Sequence, residues 1–308
     1  MNNSFQHTIN KIITLNGIGL HSGKNTKIKL IPADSDHGIM FVRKDLHENN
    51  IIEANFKNVS SAKLCTTLEN SFGVKISTVE HLLAALYITG VDNLIIEVNN
   101  EEIPIMDGSS KDFVEILNQV GTNKQDKKRK FLKILNKVEL DDNGRKISIE
   151  PSNLGFEVEF QLNYLNKVIG KQKNRVNFSN DNLKDVYSSR TFCLFEDIEK
   201  IKKIGLAKGG SLENAVVVNE EKVINEEGLR NEREFVNHKI LDLAGDFLLS
   251  GFRILGKVNC YQGGHQLSNM FLRKLMESKS AFIEIELNNI ELHKKTEASH
   301  TIKLAVNA

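Results

Sequence analysis

The segment Glu232 to Leu249, EREFVNHKILDLAGDFLL, constrains this chain most, because it reads as one helix with two chemically different faces. At about 100° per residue, His238, Asp242 and Asp246 fall within one quadrant with Lys239 at its edge. Val236, Ile240, Leu243, Ala244, Phe247 and Leu248 take the opposite side, so the helix has a core face and a chemical face. A histidine and an aspartate at i, i+4 can close on one cation, since neutral imidazole nitrogen and carboxylate oxygen both suit an ion such as Zn²⁺ at about 2.0–2.2 Å. Such pairs are also ordinary on solvated helix surfaces, so a third ligand is required.

His81 is the candidate. It lies in Ser77 to Leu86, STVEHLLAAL, whose apolar spacing and Ala/Leu content predict a helix beginning near Ser77. Three ligands, His81, His238 and Asp242, would leave a fourth position to water, as in catalytic rather than structural zinc sites. Glu80, directly before His81, could take a proton from a water whose pKa the metal lowers to about 7. That is the chemistry of a metal-dependent hydrolase. A plainer reading is a capping box, in which Glu80 only returns a hydrogen bond to the Ser77 amide. Two histidines and a carboxylate are also the facial triad of non-haem Fe(II) oxygenases, although such a protein needs no base like Glu80. A non-catalytic protein that binds a nucleotide sugar or an acyl group is a third class.

Several stretches carry a family resemblance: Gly17 to Gly23 (GIGLHSG), Ile76 to Leu82 (ISTVEHL), Glu102 to Ser109 (EIPIMDGS), Ser189 to Phe192 (SRTF), Gly209 to Leu212 (GGSL), His238 to Asp242 (HKILD) and Gly263 to His265 (GGH). In order and spacing, over nearly the whole chain, they resemble the bacterial UDP-3-O-acyl-N-acetylglucosamine deacetylases, the LpxC family. The resemblance implies an α+β fold of two similar domains, each a sheet packed against helices, with the active site between them. It implies a cytoplasmic amidase that holds one Zn²⁺, or Fe²⁺ in the cell, and removes acetate from UDP-3-O-[(R)-3-hydroxyacyl]-N-acetylglucosamine, the committed step towards lipid A. His81, His238 and Asp242 match the metal ligands and Glu80 the general base. His265 matches a protonated residue that stabilises the oxyanion or protonates the departing amine, with Asp246 orienting it. Which of Glu80 and His265 gives the final proton stays open at this stage. Thr191 matches the hydroxyl at the oxyanion and Lys239 a cation for the polar part of the substrate. Phe192, Ile198, Gly210 and Ala215 match the lining of a passage for the acyl chain. Leu212 and Leu194 stand there where relatives often have Phe. His21 follows a glycine-rich loop like the family's and could approach the site, although it reads first as a surface histidine; Cys65 matches a neighbour of the metal that is not a required ligand, and Glu102 to Ser109 reads as a segment shaping the first domain.

Composition bounds the rest. The chain has 308 residues, room for two domains, and 41 basic against 40 acidic residues give a net charge of +1. That balance gives no reason to expect a nucleic acid partner. Cys65, Cys193 and Cys260 form no CxxC and suit a reducing compartment. Met1 to Asn10 has no apolar core of a signal peptide, and no uninterrupted apolar run of about 18 residues occurs, so a cytoplasmic protein without a stable membrane anchor is expected. A monomer is expected. Gly121 to Lys130, GTNKQDKKRK, has no apolar residue and reads as an exposed linker, which divides the chain into domains 1–124 and 125–308. Strands are expected at 27–31, 38–42, 93–98, 147–150, 156–162, 215–218 and 281–286. Helices are expected at 77–89, 111–119, 197–203 and 232–249. The absence of a βαβ rhythm favours α+β.

Overall fold

Alternating apolar residues build the first sheet. In Asn25–Pro32 (NTKIKLIP), Thr26, Ile28 and Leu30 are buried while the lysines between them turn outward. In the computed structural model, which describes residues 4–286, five strands run in the order Ile13–Ile18, Asn25–Pro32, Leu94–Val98, Ile39–Arg43 and Ile51–Glu53. Only the Ile39–Arg43 and Leu94–Val98 pair is parallel among these. A seven-stranded sheet is organised on Arg253–Tyr261, which pairs antiparallel with Arg145–Glu150 and parallel with Lys130–Ile134 and Phe156–Asn163. The architecture is α+β. Residues 1–3 and 287–308, the outer ends of the two expected domains, lie outside the described residues.

The α-helices among the described residues are α1 (Glu80–Thr89), α2 (Lys111–Val120), α3 (Lys184–Tyr187), α4 (Phe195–Lys203), α5 (Glu234–Leu248) and α6 (His265–Glu277). α1 and α5 pack along each other, and they carry most of the polar residues singled out above. Gly245 makes this approach possible. A Cβ there would stand 2.1 Å from the Glu80 carbonyl oxygen and 3.1 Å from the Ala84 nitrogen, so any larger residue forces two backbones apart. We expect Gly245→Ala to lower unfolding stability by about 3 kcal/mol, the upper range for overpacking because backbone cannot rotate away. Denaturant titration reads this directly, and an unchanged midpoint would mean that the helices do not cross here.

The chemical face of α5 is as buried as its core face, all of its residues except Lys239 being buried. The polar quadrant lies under α1, α6 and the 189–192 segment, so burial runs all round the helix. The 121–130 segment is not an irregular linker. Thr122–Lys128 is a strand pairing antiparallel with Phe5–Ile9. A two-stranded ribbon is held by backbone hydrogen bonds, so a run without apolar side chains can still form one.

The C-terminal end of α1 is held from the later half of the chain. Buried Arg253 donates to the carbonyls of Leu86 (3.2 Å) and Val91 (3.0 Å) and lies over the Tyr87 ring at 4.4 Å. Carbonyls at a helix end have no partner within the helix, and a cation there answers both the hydrogen bond and the dipole.

Candidate metal centre

α1 begins later than its sequence suggests, and the difference decides the role of Glu80. Ser77 does not cap the helix. Its hydroxyl donates to Glu101 O (3.1 Å), Thr78 adopts a left-handed φ of 57°, and Val79 precedes the first turn without a side-chain cap. The capping box therefore does not form. Glu80 sits buried at the first helical position and accepts a hydrogen bond from the Thr66 amide (3.0 Å). Burial raises its pKa, Asp242 and Asp246 add to the rise, and His265 and His81 oppose it. A carboxylate so placed is a stronger proton acceptor than an exposed one.

α1 and α5 bring three donors together. His81 Nε2 lies 3.5 Å from Asp242 Oδ1, and His238 Nε2 lies 3.3 Å from the same oxygen. Donors about 2.0 Å from a tetrahedral ion stand about 3.3 Å apart, so the spacing fits one cation of zinc's size. His238 Nδ1–H donates to Ser189 O at 3.1 Å, which leaves the Nε2 lone pair free towards the other two donors. Burial pushes the His238 pKa down to about 3, so this imidazole is neutral, as a ligand must be. Burial opposes ionisation of Asp242, but His238, Lys239 and His265 outweigh it and hold the carboxyl well below its usual range. Asp242 Oδ1 and His81 Nδ1 are buried without a hydrogen-bond partner among the described residues, and the three residues form a group able to hold a metal ion. A buried carboxylate oxygen left unpaired between two imidazoles is costly unless a cation answers it.

His265 opens α6 beside this group. Gly263 leaves room for the turn, since a Cβ there would meet Cys260 Sγ at 2.3 Å. His265 Nδ1–H donates to Asp246 Oδ2 (3.0 Å), while its Nε2 stands 3.6 Å from Glu80 Oε1 and 3.8 Å from Asp242 Oδ2. Burial works against charge on this ring, but Asp246, Glu80 and Asp242 together raise its pKa to about 10. Lys239 Nζ bonds Asp242 Oδ2 (2.9 Å) and lies 5.5 Å from the centre of the Phe192 ring. A cavity of about 330 Å³ is lined by Glu80, His81, Thr191, His238, Lys239, Asp242 and His265 together with Cys65 and Tyr164. The Cys65 thiol is pushed up to about 12 by burial and by the Glu80 charge. A second cavity of about 340 Å³ adjoins the first through Leu20, Leu64, Thr191, Phe192, Cys193 and Ile201. It is lined by Ile198, Gly210, Leu212 and Ala215, and Leu212 and Phe195 are exposed at it.

Every catalytic, metal-binding or substrate-binding candidate from the sequence thus lies in or against these two connected cavities. Other residues escaped notice. Thr66 links the two carboxylates, with its amide on Glu80 and its hydroxyl on Asp246 Oδ1 (2.6 Å). Arg190, fully buried, bonds Glu234 at the start of α5 (2.8 Å) and so fixes Ser189 against His238. Thr66 has no sequence signal and Arg190 only its place in the SRTF stretch, because their partners are far apart in the chain. His21 is not a surface histidine. Its Nε2 is buried without a partner among the described residues, and burial lowers its pKa, with His265 adding to the fall and Glu102 opposing it.

Among known proteins, residues 6–277 match the family model for UDP-3-O-acyl N-acetylglycosamine deacetylase. A protein from Haemophilus ducreyi named UDP-3-O-acyl-N-acetylglucosamine deacetylase is 40% identical over 280 residues, 90% of this chain and 92% of the relative. One of the same name from Shewanella baltica is 40% identical over 301 residues, 97% of each chain.

Proposed function

The chain belongs to the UDP-3-O-acyl N-acetylglycosamine deacetylase family, and from that premise we propose a zinc-dependent hydrolysis carried out by the residues gathered between α1, α5 and α6. The protein is a deacetylase of UDP-3-O-acyl-N-acetylglucosamine in lipid A biosynthesis. The oxygenase and binding-only readings fall with that membership. The observation that carries the mechanism is the unpaired Asp242 oxygen between two imidazoles, with a carboxylate of raised pKa beside it.

His81, His238 and Asp242 would hold Zn²⁺, with Fe²⁺ the alternative occupant in the cell; the ion supplies Lewis acidity and a water whose pKa is lowered to about 7. Glu80 takes the proton of the attacking water. Thr191 offers a hydroxyl, and His265 a positive charge, to the oxygen of the acetyl group as it becomes an oxyanion. Asp246 keeps His265 charged and turned inward. As the carbon–nitrogen bond breaks, the amine leaves with a proton from the Glu80–His265 pair, whose facing atoms are 3.6 Å apart, and acetate is the second product. Lys239 meets the polar part of the substrate. The adjoining cavity along Phe192, Ile198, Gly210, Leu212 and Ala215 takes the (R)-3-hydroxyacyl chain, and the smaller Leu212 widens it.

We further read the chain as two domains, 1–124 and 125–308, that work as a cytoplasmic monomer without a nucleic acid partner. No helix among the described residues is long and apolar enough to cross a membrane. Acetate release from UDP-3-O-(3-hydroxyacyl)-N-acetylglucosamine tests the reaction. Stoichiometric acetate and free amine are expected, and binding of the nucleotide with no acetate formed would overturn the reading.

A further inference from the structure

We propose that Glu102 is a positioning residue that ties the wall of the acyl passage to the turn delivering Glu80 and His81, and so sets how turnover depends on acyl length. This rests on the deacetylase reading above. Glu102 is buried, and its carboxylate accepts from three neutral donors: the amides of His21 (2.8 Å) and Ser22 (2.7 Å) and the hydroxyl of Thr78 (2.9 Å).

The first two bonds hold the 19–23 loop. A Cβ on Gly19 would meet Glu102 Oε2 at 2.4 Å, so glycine there is what lets the carboxylate sit beneath the loop. The loop in turn carries a segment from the later half of the chain. Gly209 N donates to Leu20 O (3.0 Å), Ala207 N to His21 Nδ1 (3.4 Å), and a Cβ on Gly209 would stand 2.3 Å from Gly19 O. Leu20, His21, Ala207 and Gly210 are wall of the apolar cavity. Shifting the loop therefore shifts that wall.

The third bond holds Thr78, a β-branched residue in the left-handed region, two positions before Glu80. Such a conformation persists only where its surroundings fix it, and the Glu102 bond is one such constraint. A single carboxylate thus anchors both the surface that grips the acyl chain and the start of the helix that carries base and ligand. Binding energy from a remote part of a substrate raises turnover only when it is transmitted to the reacting groups.

In Glu102→Gln the amide NH₂ must face either the His21 amide and Thr78 hydroxyl or the Ser22 amide, so in either orientation the loop loses one of its two bonds. The test compares kcat/KM for a long-chain and a short-chain 3-hydroxyacyl substrate. We expect the long-to-short ratio to fall roughly tenfold towards unity, a fraction of the contact energy of a few methylene groups. Thr78→Val, which keeps the loop arm, should lower kcat alike for both substrates and leave the ratio intact. A purely structural role would reduce the active fraction equally for both and leave the ratio unchanged in Glu102→Gln, which would overturn the proposal. If Glu102→Gln does not fold, Gly19→Ala displaces the same carboxylate from the loop side and is read by the same ratio. Should wild type bind but not turn over either substrate, the deacetylase reading fails by itself. The ratio of the two dissociation constants, in wild type and variant, then still shows whether Glu102 sets the passage.

Discussion

Glu80→Gln is expected to lose about 10²- to 10⁴-fold in kcat, the range for removal of a general base, while still binding one metal ion. The ion should stay because Glu80 is not among the three clustered donors, and glutamine can still accept from the Thr66 amide. Stripped of metal, the same variant should be more stable than wild type at neutral pH. Burial raises the folded pKa of Glu80, so the folded state holds its proton above the pH at which the unfolded chain has lost it. Its contribution to stability therefore falls as pH rises from the ordinary carboxylate value towards the raised one, and glutamine removes that penalty. Steady-state rates, metal content and thermal melts on one preparation check all three statements. A loss below tenfold would remove Glu80 from the role of base.

The second large effect concerns the charge on His265. His265→Gln should lower kcat by about 10²- to 10³-fold, the range for loss of one oxyanion-stabilising group. Asp246→Asn should act through pH instead. With its pKa raised to about 10, largely by Asp246 against the pull of burial, His265 is charged below that value and loses charge as pH rises through it. Activity should thus climb as Glu80 ionises and decline as His265 deprotonates, the two limbs belonging to the pair rather than to either group. Removing the Asp246 charge should move the alkaline limb at least about one unit to lower pH. A profile that keeps its alkaline limb in Asp246→Asn would show that another group carries it.

The regular elements were legible because their patterns are local. Asn25–Pro32 alternates, α2 and α5 keep helical spacing, and the expected strands and helices lie within a few residues of the observed ones. The misreadings have physical causes. α1 starts at Glu80 because Thr78 turns the chain left-handed, which no propensity foretells. Thr122–Lys128 forms a strand by pairing with Phe5–Ile9, a partner more than a hundred residues away. The group able to hold a metal ion could be picked out because His238 and Asp242 sit one turn apart, and Glu80 beside His81. Thr66 could not, and Arg190 and Glu102 stood out only as members of the SRTF and EIPIMDGS stretches, because each acts through hydrogen bonds to groups distant in sequence. Gly245 and Gly263 were visible as glycines, but what they make room for appears only once α1 and the Cys260 side chain are in place.

Titration of metal-stripped protein with Zn²⁺, following acetate release and bound metal together, decides whether His81, His238 and Asp242 hold the reacting centre. Negligible turnover without metal, a linear rise to a plateau at about one equivalent, and loss of both signals in His238→Ala are expected. Full turnover in the stripped protein, or a His238→Ala variant that binds zinc and turns over like wild type, would contradict a metal-centred deacetylase.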